Sequence, residues 1–307
     1  MSSTLKSNDD LCKYMERQRM LRTPKIVEAF RAVDRGDFVP SHVGSLVYMD
    51  QPVRSGKVHL SAPFIYAAAM EEFGLEPGMS FLNIGSGTGY LSCVASVLLG
   101  PDAVNHGVEI NPALVQHARR CVSATDEKLG RRQTDVQFVA GNGFRVEAGF
   151  RYDRVYVGAG CSAERTRDYL YGLLNVGGVL VVPFGDQLVR VERKCEETFK
   201  TTTLCSVCFA PATMPSPEEE NGGGGSGSGG GTPPVRFCIH PWSPACHAVY
   251  PPPFRRTVLV VLMANRREGT LPHRLPPALW LEIMSFMHRD WFPGVDAADG
   301  GGCGGGE

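Results

Sequence analysis

One short segment constrains the fold of this chain more than any other. Residues 81–90 read FLNIGSGTGY, so an apolar run enters glycines at positions 85, 87 and 89, and an apolar helix pattern over 91–99 follows. Glycine permits a tight turn and a close approach of backbone to ligand. The spacing differs from the G-x-G-x-x-G of dinucleotide-binding enzymes, and no Walker lysine follows, so phosphate binding is disfavoured. We predict a strand, a ligand-binding turn at Gly85, Gly87 and Gly89, and a helix.

The same alternation of short apolar runs and helical patterns continues along the chain. Each run is followed by glycine, an acidic residue or proline, and the runs lie at 103–109, 136–139, 154–157 and 179–182. This order is typical of a parallel, doubly wound sheet buried on both faces. Two helices are predicted within 9–32, with Thr23 as N-cap before Pro24. After Pro183, runs at 188–193 and 203–209 predict an antiparallel pair of strands that closes the sheet.

Polar residues stand where the second and third predicted strands end. Glu109 ends the second strand, and a carboxylate there can bind the two hydroxyls of a ribose. Asn111 then caps the next helix, which begins at Pro112. Asn142 and Gly143 follow the third strand, where an amide can bind the adenine edge. Together with the glycine-rich turn, these strand ends predict a nucleoside-binding site.

Composition excludes several classes of function. Lysine and arginine number 31 against 32 acidic residues, so the net charge of -1 gives no electrostatic basis for binding nucleic acid or an anionic membrane. No run of 18 apolar residues or signal peptide is recognisable, so we expect a cytoplasmic protein. Its ten cysteines are scattered and are expected to be reduced. The spacing of Cys238, His240, Cys246 and His247 matches no standard zinc pattern, and no metal site is predicted.

Domain boundaries follow from composition. We predict one domain over 1–213, a linker rich in glycine, serine and proline over 214–235, a C-terminal extension over 236–293, and a disordered tail over 294–307. The extension contains a possible added strand at 258–263 and an amphipathic helix at 275–287. We expect a monomer.

Three further segments carry a family resemblance. Residues 57–63 (KVHLSAP), 153–160 (DRVYVGAG) and 174–183 (LNVGGVLVVP), with the glycine-rich turn, resemble the protein-L-isoaspartate (D-aspartate) O-methyltransferase family, and most closely its "domain-containing" branch. The resemblance implies a Rossmann-like class I methyltransferase fold, mostly parallel, with helices on both faces. It implies S-adenosyl-L-methionine as cofactor and L-isoaspartyl or D-aspartyl residues of damaged proteins as substrates. Ser61 takes the position of the active-site serine, and the implied pocket-lining residues beside it are Val58, His59, Leu60 and Tyr66.

Two departures from the family pattern leave alternatives open. The family commonly has aspartate where this chain has Asn83 and Asn142, and loss of a charge-assisted hydrogen bond costs about 1 kcal/mol, roughly fivefold to tenfold in affinity. The branch that has asparagine at position 83 suggests a second function, a cofactor-binding adaptor that recruits a ubiquitin ligase through the 275–287 helix. That helix resembles the start of an F-box, although packing back on its own domain is the favoured alternative. A methyltransferase acting on a small molecule or RNA is the third possibility, disfavoured because no basic, aromatic-interleaved stretch is present.

Overall fold

The computed structural model describes residues 5–101, 103–130, 136–147, 151–215 and 234–237. The chain begins with two short helices, α1 (Asn8–Arg17) and α2 (Pro24–Ala32), followed by 3₁₀ turns at Arg35–Phe38 and Ser41–Tyr48. Ser7 caps α1 by accepting a hydrogen bond from the Asp10 amide. A small antiparallel hairpin, β1 (Val53–Ser55) and β2 (Val58–Leu60), then leads into α3 (Pro63–Phe73).

The predicted alternation of strands and helices is confirmed in the main sheet. Its elements are β3 (Ser80–Ile84), α4 (Tyr90–Leu99), β4 (Val104–Glu109), α5 (Pro112–Leu129), β5 (Val136–Ala140), β6 (Tyr152–Val157), α6 (Ala163–Gly172), β7 (Leu174–Phe184), β8 (Gln187–Arg193) and β9 (Phe199–Ser206). The strands lie in the order β5-β4-β3-β6-β7-β8-β9. The first five are parallel, and β8 and β9 are antiparallel to their neighbours, so the predicted closing pair is confirmed. The order in which successive strands are added to the sheet reverses at β3, which places the carboxyl ends of β3, β4 and β6 around one crevice.

Two apolar clusters hold helices against the two faces of this sheet. One contains the aromatic rings of Phe30, Phe38, Tyr66, Tyr90 and Tyr156, and it joins the N-terminal helices to α3 and α4. The other lies on the opposite face, around Leu82, Val155 and Leu180. Because both faces are covered, the central strand β3 is buried along its whole length.

Two local predictions needed correction. The last strand spans Phe199–Ser206 instead of 203–209, because Phe199 pairs with Arg193 across a short turn and the chain leaves the sheet after Ser206. Thr23 is the N-cap residue of α2, as predicted, but its side chain makes no capping hydrogen bond, because its hydroxyl donates to Glu71. Asn111, by contrast, caps α5 by accepting from the Ala113 amide at 3.1 Å, as predicted.

A short segment that spans the end of the predicted linker and the start of the predicted extension packs on the domain. Residues 234–237, here called the anchor segment, form a bridge in which Val235 exchanges backbone hydrogen bonds of 2.8 Å with Arg145 and Glu147. Val235 is buried, and the Phe237 ring stacks on His106 with 3.9 Å between ring centroids. The sequence placed Val235 in the linker and Phe237 in the extension, because single apolar residues beside prolines carry no periodic signal. Residues 216–233 of the predicted linker, the 258–263 strand, the 275–287 helix and the 294–307 tail lie outside the described residues.

Within the described ranges, no helix combines the length and apolarity needed to cross a membrane.

Candidate cofactor and substrate site

A cavity of about 250 Å³ opens at the carboxyl ends of β3, β4 and β6. The glycine-rich turn forms its floor, the segment around Ser61 forms one wall, and the chain after β9 forms another. Nine of the twelve residues predicted for the site line it: His59, Ser61, Tyr66, Asn83, Gly85, Gly87, Glu109, Asn142 and Gly143. The topological switch point therefore gathers residues that are far apart in the sequence.

Three predicted residues do not line the cavity. Val58 and Leu60 flank His59 in β2, and alternate side chains of a strand point to opposite faces, so His59 faces the cavity while Leu60 is buried in the apolar core. Gly89 lies at the start of α4 with φ of 84°. A Cβ there would lie 2.9 Å from both Ala118 and Phe138, so this glycine serves helix packing.

The glycine-rich turn is held against the end of β4. The amides of Gly85 and Ser86 both donate to the Val108 carbonyl, at 2.8 and 2.9 Å. The amide of Gly87 donates to Glu109 Oε2 at 2.9 Å, and the amide of Asn111 donates to Oε1 at 3.0 Å. Two backbone amides thus fix the Glu109 carboxylate at the cavity wall, and each oxygen keeps a lone pair for a diol.

At the cavity end beside β5, the protein itself uses part of the hydrogen-bonding capacity of Asn142. Asn142 Oδ1 accepts from the Phe144 amide at 3.0 Å, and Nδ2 donates to the Thr213 carbonyl at 3.1 Å. Its amide therefore caps a short 3₁₀ turn and ties down the segment after β9. One lone pair of Oδ1 and one N–H of Nδ2 therefore remain to bind a base. Ile110, about half exposed, adds an apolar wall at the mouth.

Ser61 lies at the other end, in the turn between β2 and α3. Its amide donates to Tyr66 Oη at 3.1 Å, and its carbonyl accepts from Arg35 Nη2 at 2.7 Å. Helix α3 begins at Pro63 with Ala62 as its N-cap, and no side chain caps it. The Ser61 hydroxyl is therefore not used to cap the helix.

Arg35 is a buried cation behind this turn that the sequence did not single out. It has no exposed surface, donates from Nε to the Val47 carbonyl, and lies 5.9 and 5.7 Å from the rings of Tyr66 and Tyr90. Burial lowers the pKa of its guanidinium. By holding the Ser61 carbonyl, Arg35 fixes the backbone that presents the serine.

His59 contributes a neutral side chain to the cavity wall. Burial first, and then the positive charges of Arg54 and Arg35, lower the pKa of the His59 imidazole. The ring is consequently neutral at pH 7 and adds no repulsion to a cavity that would hold a sulfonium.

Sequence reasoning missed several residues that the fold brings to the cavity. Tyr156, at the end of β6, lines it from the sheet, and Pro211–Thr213 line it from the chain after β9. A backbone bridge between Gly160 and Pro211 holds that segment in place. A tyrosine within a buried strand gives no sequence signal that distinguishes it from a core residue.

Comparison with known proteins identifies the same fold and family. The family model described as Protein-L-isoaspartate(D-aspartate) O-methyltransferase (PCMT) matches residues 6–216. Protein-L-isoaspartate O-methyltransferase 1 of Arabidopsis thaliana is 30% identical over 218 residues, which cover 69% of this chain and 93% of the relative. The Methanothermobacter thermautotrophicus protein-L-isoaspartate O-methyltransferase is 33% identical over 198 residues, which cover 62% of this chain and 88% of the relative.

A solved structure gives the same result for the fold. It is a Plasmodium falciparum protein assigned as a protein-L-isoaspartate O-methyltransferase and solved in complex with S-adenosyl-L-homocysteine. It aligns with a TM-score of 0.58 at 22% identity and covers 67% of this chain and 98% of its own. Together with the family model, which matches most of the chain, these similarities show that this protein belongs to the protein-L-isoaspartate (D-aspartate) O-methyltransferase family.

Proposed function

We propose that this protein is an S-adenosyl-L-methionine-dependent carboxyl methyltransferase that acts on L-isoaspartyl and D-aspartyl residues of damaged proteins. Family membership supports the reaction, and one observation carries it to this chain. The Ser61 turn and the glycine-rich turn with Glu109 line a single cavity, so a substrate carboxylate at Ser61 would lie beside the cofactor.

The residues at the cavity fit this cofactor. Glu109 presents a fixed carboxylate to a ribose diol, and Ile110 and Phe144 offer apolar surface to a base. In the glycine-rich turn, the buried hydroxyl of Ser86, which lines the cavity, has no hydrogen-bond partner among the described residues. When bound, S-adenosyl-L-methionine would supply an electrophilic methyl group on its sulfonium.

The chain's own contribution to the reaction would be positioning. An isoaspartyl carboxylate has an intrinsic pKa near about 4, so it is ionised at pH 7 and needs no general base. Ser61 would donate a hydrogen bond to that carboxylate or to its flanking peptide, while Arg35 and Tyr66 hold the serine backbone still. The walls formed by Tyr66 and Pro211–Thr213 would exclude water from the nucleophile.

The test is transfer of a labelled methyl group from S-adenosyl-L-methionine to an isoaspartyl peptide, compared with the same peptide containing normal aspartate. We expect incorporation only into the isoaspartyl peptide, and a loss of at least tenfold in Ser61→Ala, because one hydrogen bond that positions the substrate is removed. Ser162→Ala, at the exposed start of α6, is the matched control. Absence of transfer by the wild-type protein that nevertheless binds cofactor would contradict the proposal.

Two further assignments are part of this proposal. The seven cysteines in the described ranges are free, and four of them are buried, which supports a reducing compartment such as the cytoplasm. The alternative function, an adaptor that recruits a ubiquitin ligase, depends on residues 275–287, which lie outside the described residues. That function and the expected monomer stay predictions.

A further inference from the structure

Two polar side chains at the sheet end of the cavity are buried without a partner. Asn83 Oδ1 and Tyr156 Oη are each inaccessible to solvent, and neither has a hydrogen-bond partner among the described residues. Both residues line the cavity. Buried polar atoms are almost always hydrogen-bonded. Two unpartnered polar atoms at one end of a cavity therefore indicate a ligand group that forms hydrogen bonds with both.

Their positions in the sheet explain why they act together. Asn83 and Tyr156 are register partners on the adjacent parallel strands β3 and β6, so their side chains leave the same face of the sheet. Asn83 Nδ2 donates to Ser92 Oγ at 3.0 Å, which turns its carbonyl oxygen away from α4. The Tyr156 ring packs against Tyr66, with 6.4 Å between ring centroids. One side chain therefore offers an acceptor and the other offers a phenol.

The phenol is available as a donor. Burial, with the neighbouring Tyr66, raises the pKa of Tyr156 well above its usual value, so the hydroxyl keeps its proton. A carboxamide oxygen can only accept. The pair is thus an uncharged donor next to an uncharged acceptor.

We infer that Tyr156 is a cofactor-contacting residue whose hydroxyl, with the Asn83 carbonyl, forms a neutral donor–acceptor pair for the zwitterionic amino-acid group of the bound cofactor. The ammonium of that group donates to Asn83 Oδ1, and its carboxylate accepts from Tyr156 Oη. A substrate carboxylate has no proton to donate, so it would leave Asn83 Oδ1 unmatched. Chemical complementarity therefore assigns the pair to the cofactor end of the cavity, and the assignment rests on the proposed function.

This arrangement would account for asparagine at position 83. With aspartate there, the ammonium would bind a full negative charge, and the Tyr156 hydroxyl would contribute a smaller share of the binding free energy. With asparagine, the site is neutral, and the Tyr156 hydroxyl supplies the second hydrogen bond that the amino-acid group needs.

The experiment compares two nucleosides by calorimetry. S-adenosyl-L-homocysteine contains the amino-acid group, whereas 5′-methylthioadenosine has the same adenosine and thioether without it. In Tyr156→Phe we expect fivefold to tenfold weaker binding of S-adenosyl-L-homocysteine, the usual effect of losing one neutral hydrogen bond, and unchanged binding of 5′-methylthioadenosine. Tyr171→Phe is the matched control, since its ring packs on Phe199 away from the cavity.

A second variant changes affinity in the opposite direction. Asn83→Asp should bind S-adenosyl-L-homocysteine about fivefold to tenfold more tightly, because the hydrogen bond to the ammonium becomes charge-assisted. Equal losses for both nucleosides in Tyr156→Phe, or no loss for either, would overturn the inference, as would weaker binding by Asn83→Asp. Wild-type protein that binds neither nucleoside would refute the proposed function itself, and that outcome is visible before any variant is compared.

Discussion

Gly141→Ala should destabilise the domain by forcing the anchor segment away from it. A Cβ on Gly141 would lie 2.4 Å from Val235 Cγ2, well inside van der Waals contact. Val235 cannot simply turn aside, because a β-branched side chain is stiff at χ1 and both of its backbone hydrogen bonds hold it in place. Overpacking of this kind costs about 1 to 3 kcal/mol of the free energy of unfolding. At about 2 to 4 °C per kcal/mol for a domain of this size, the melting temperature should fall by several degrees.

A double-mutant cycle tests whether contact with Val235 causes this loss of stability. Val235→Ala alone removes two buried methyl groups and should lower the free energy of unfolding by about 1.6 kcal/mol, at about 0.8 kcal/mol each. It also removes the atom that Gly141→Ala would contact. The double variant should therefore be no less stable than Val235→Ala by itself. Its deviation from the sum of the two single effects is a coupling free energy of about 1 to 3 kcal/mol.

Urea unfolding of the four proteins measures this coupling directly. Gly172→Ala is the control glycine, since a Cβ there meets nothing within 4 Å and its φ is not positive. It should leave stability unchanged or slightly higher. If the effects of Gly141→Ala and Val235→Ala simply add, Val235 does not pack against Gly141 in solution, and the predicted steric clash is refuted.

Three other predictions concern the cavity and the thiols. Glu109→Gln should weaken S-adenosyl-L-homocysteine binding by about tenfold or more in calorimetry, because an amide NH₂ would face one of the two backbone amides that now donate to the carboxylate. Unchanged affinity would exclude a role of Glu109 in binding the ribose. Affinity for S-adenosyl-L-methionine should stay level from pH 8 down to pH 6.5 and fall only below the lowered pKa of His59, where an imidazolium would repel the sulfonium. S-adenosyl-L-homocysteine, whose sulfur is an uncharged thioether, should show a smaller decline, and His59→Gln should remove the difference. Burial raises the pKa of the Cys12 and Cys161 thiols to about 12 and about 11, so a maleimide should label exposed Cys208 first and these two only on unfolding; equal labelling rates in the folded protein would contradict their burial.

The parts of the fold that the sequence predicted well are those set by local periodicity. The FLNI run, the alternating glycines and the apolar helix that follows are consecutive, so the 20 residues of 80–99 contain the whole strand, turn and helix. The closing strands were found for the same reason, although the start of β9 was displaced because the EETFK segment does not look apolar.

The site was predictable only where a motif or strand end marked it. Glu109 and Ser61 follow strands at recognisable places, and both line the cavity. Arg35 and Tyr156 could not be found in this way, because their roles depend on what packs against them in three dimensions. A buried arginine reads as a surface charge in sequence, and a tyrosine in a strand reads as core.

Docking of the anchor segment also depends on the length of chain that leads to it. Residues 216–233 join Pro215 to Pro234, so the anchor segment binds the domain at an effective concentration on the order of millimolar. A contact of four residues can persist at that concentration, whereas two separate molecules could not maintain it. Doubling the length of that connection would cost only about 0.6 kcal/mol, so insertions or deletions there should be nearly silent. A single proteolytic cut within it would instead make the contact between the anchor segment and the domain bimolecular. The connection is therefore tolerant of changes in length and sensitive to cleavage.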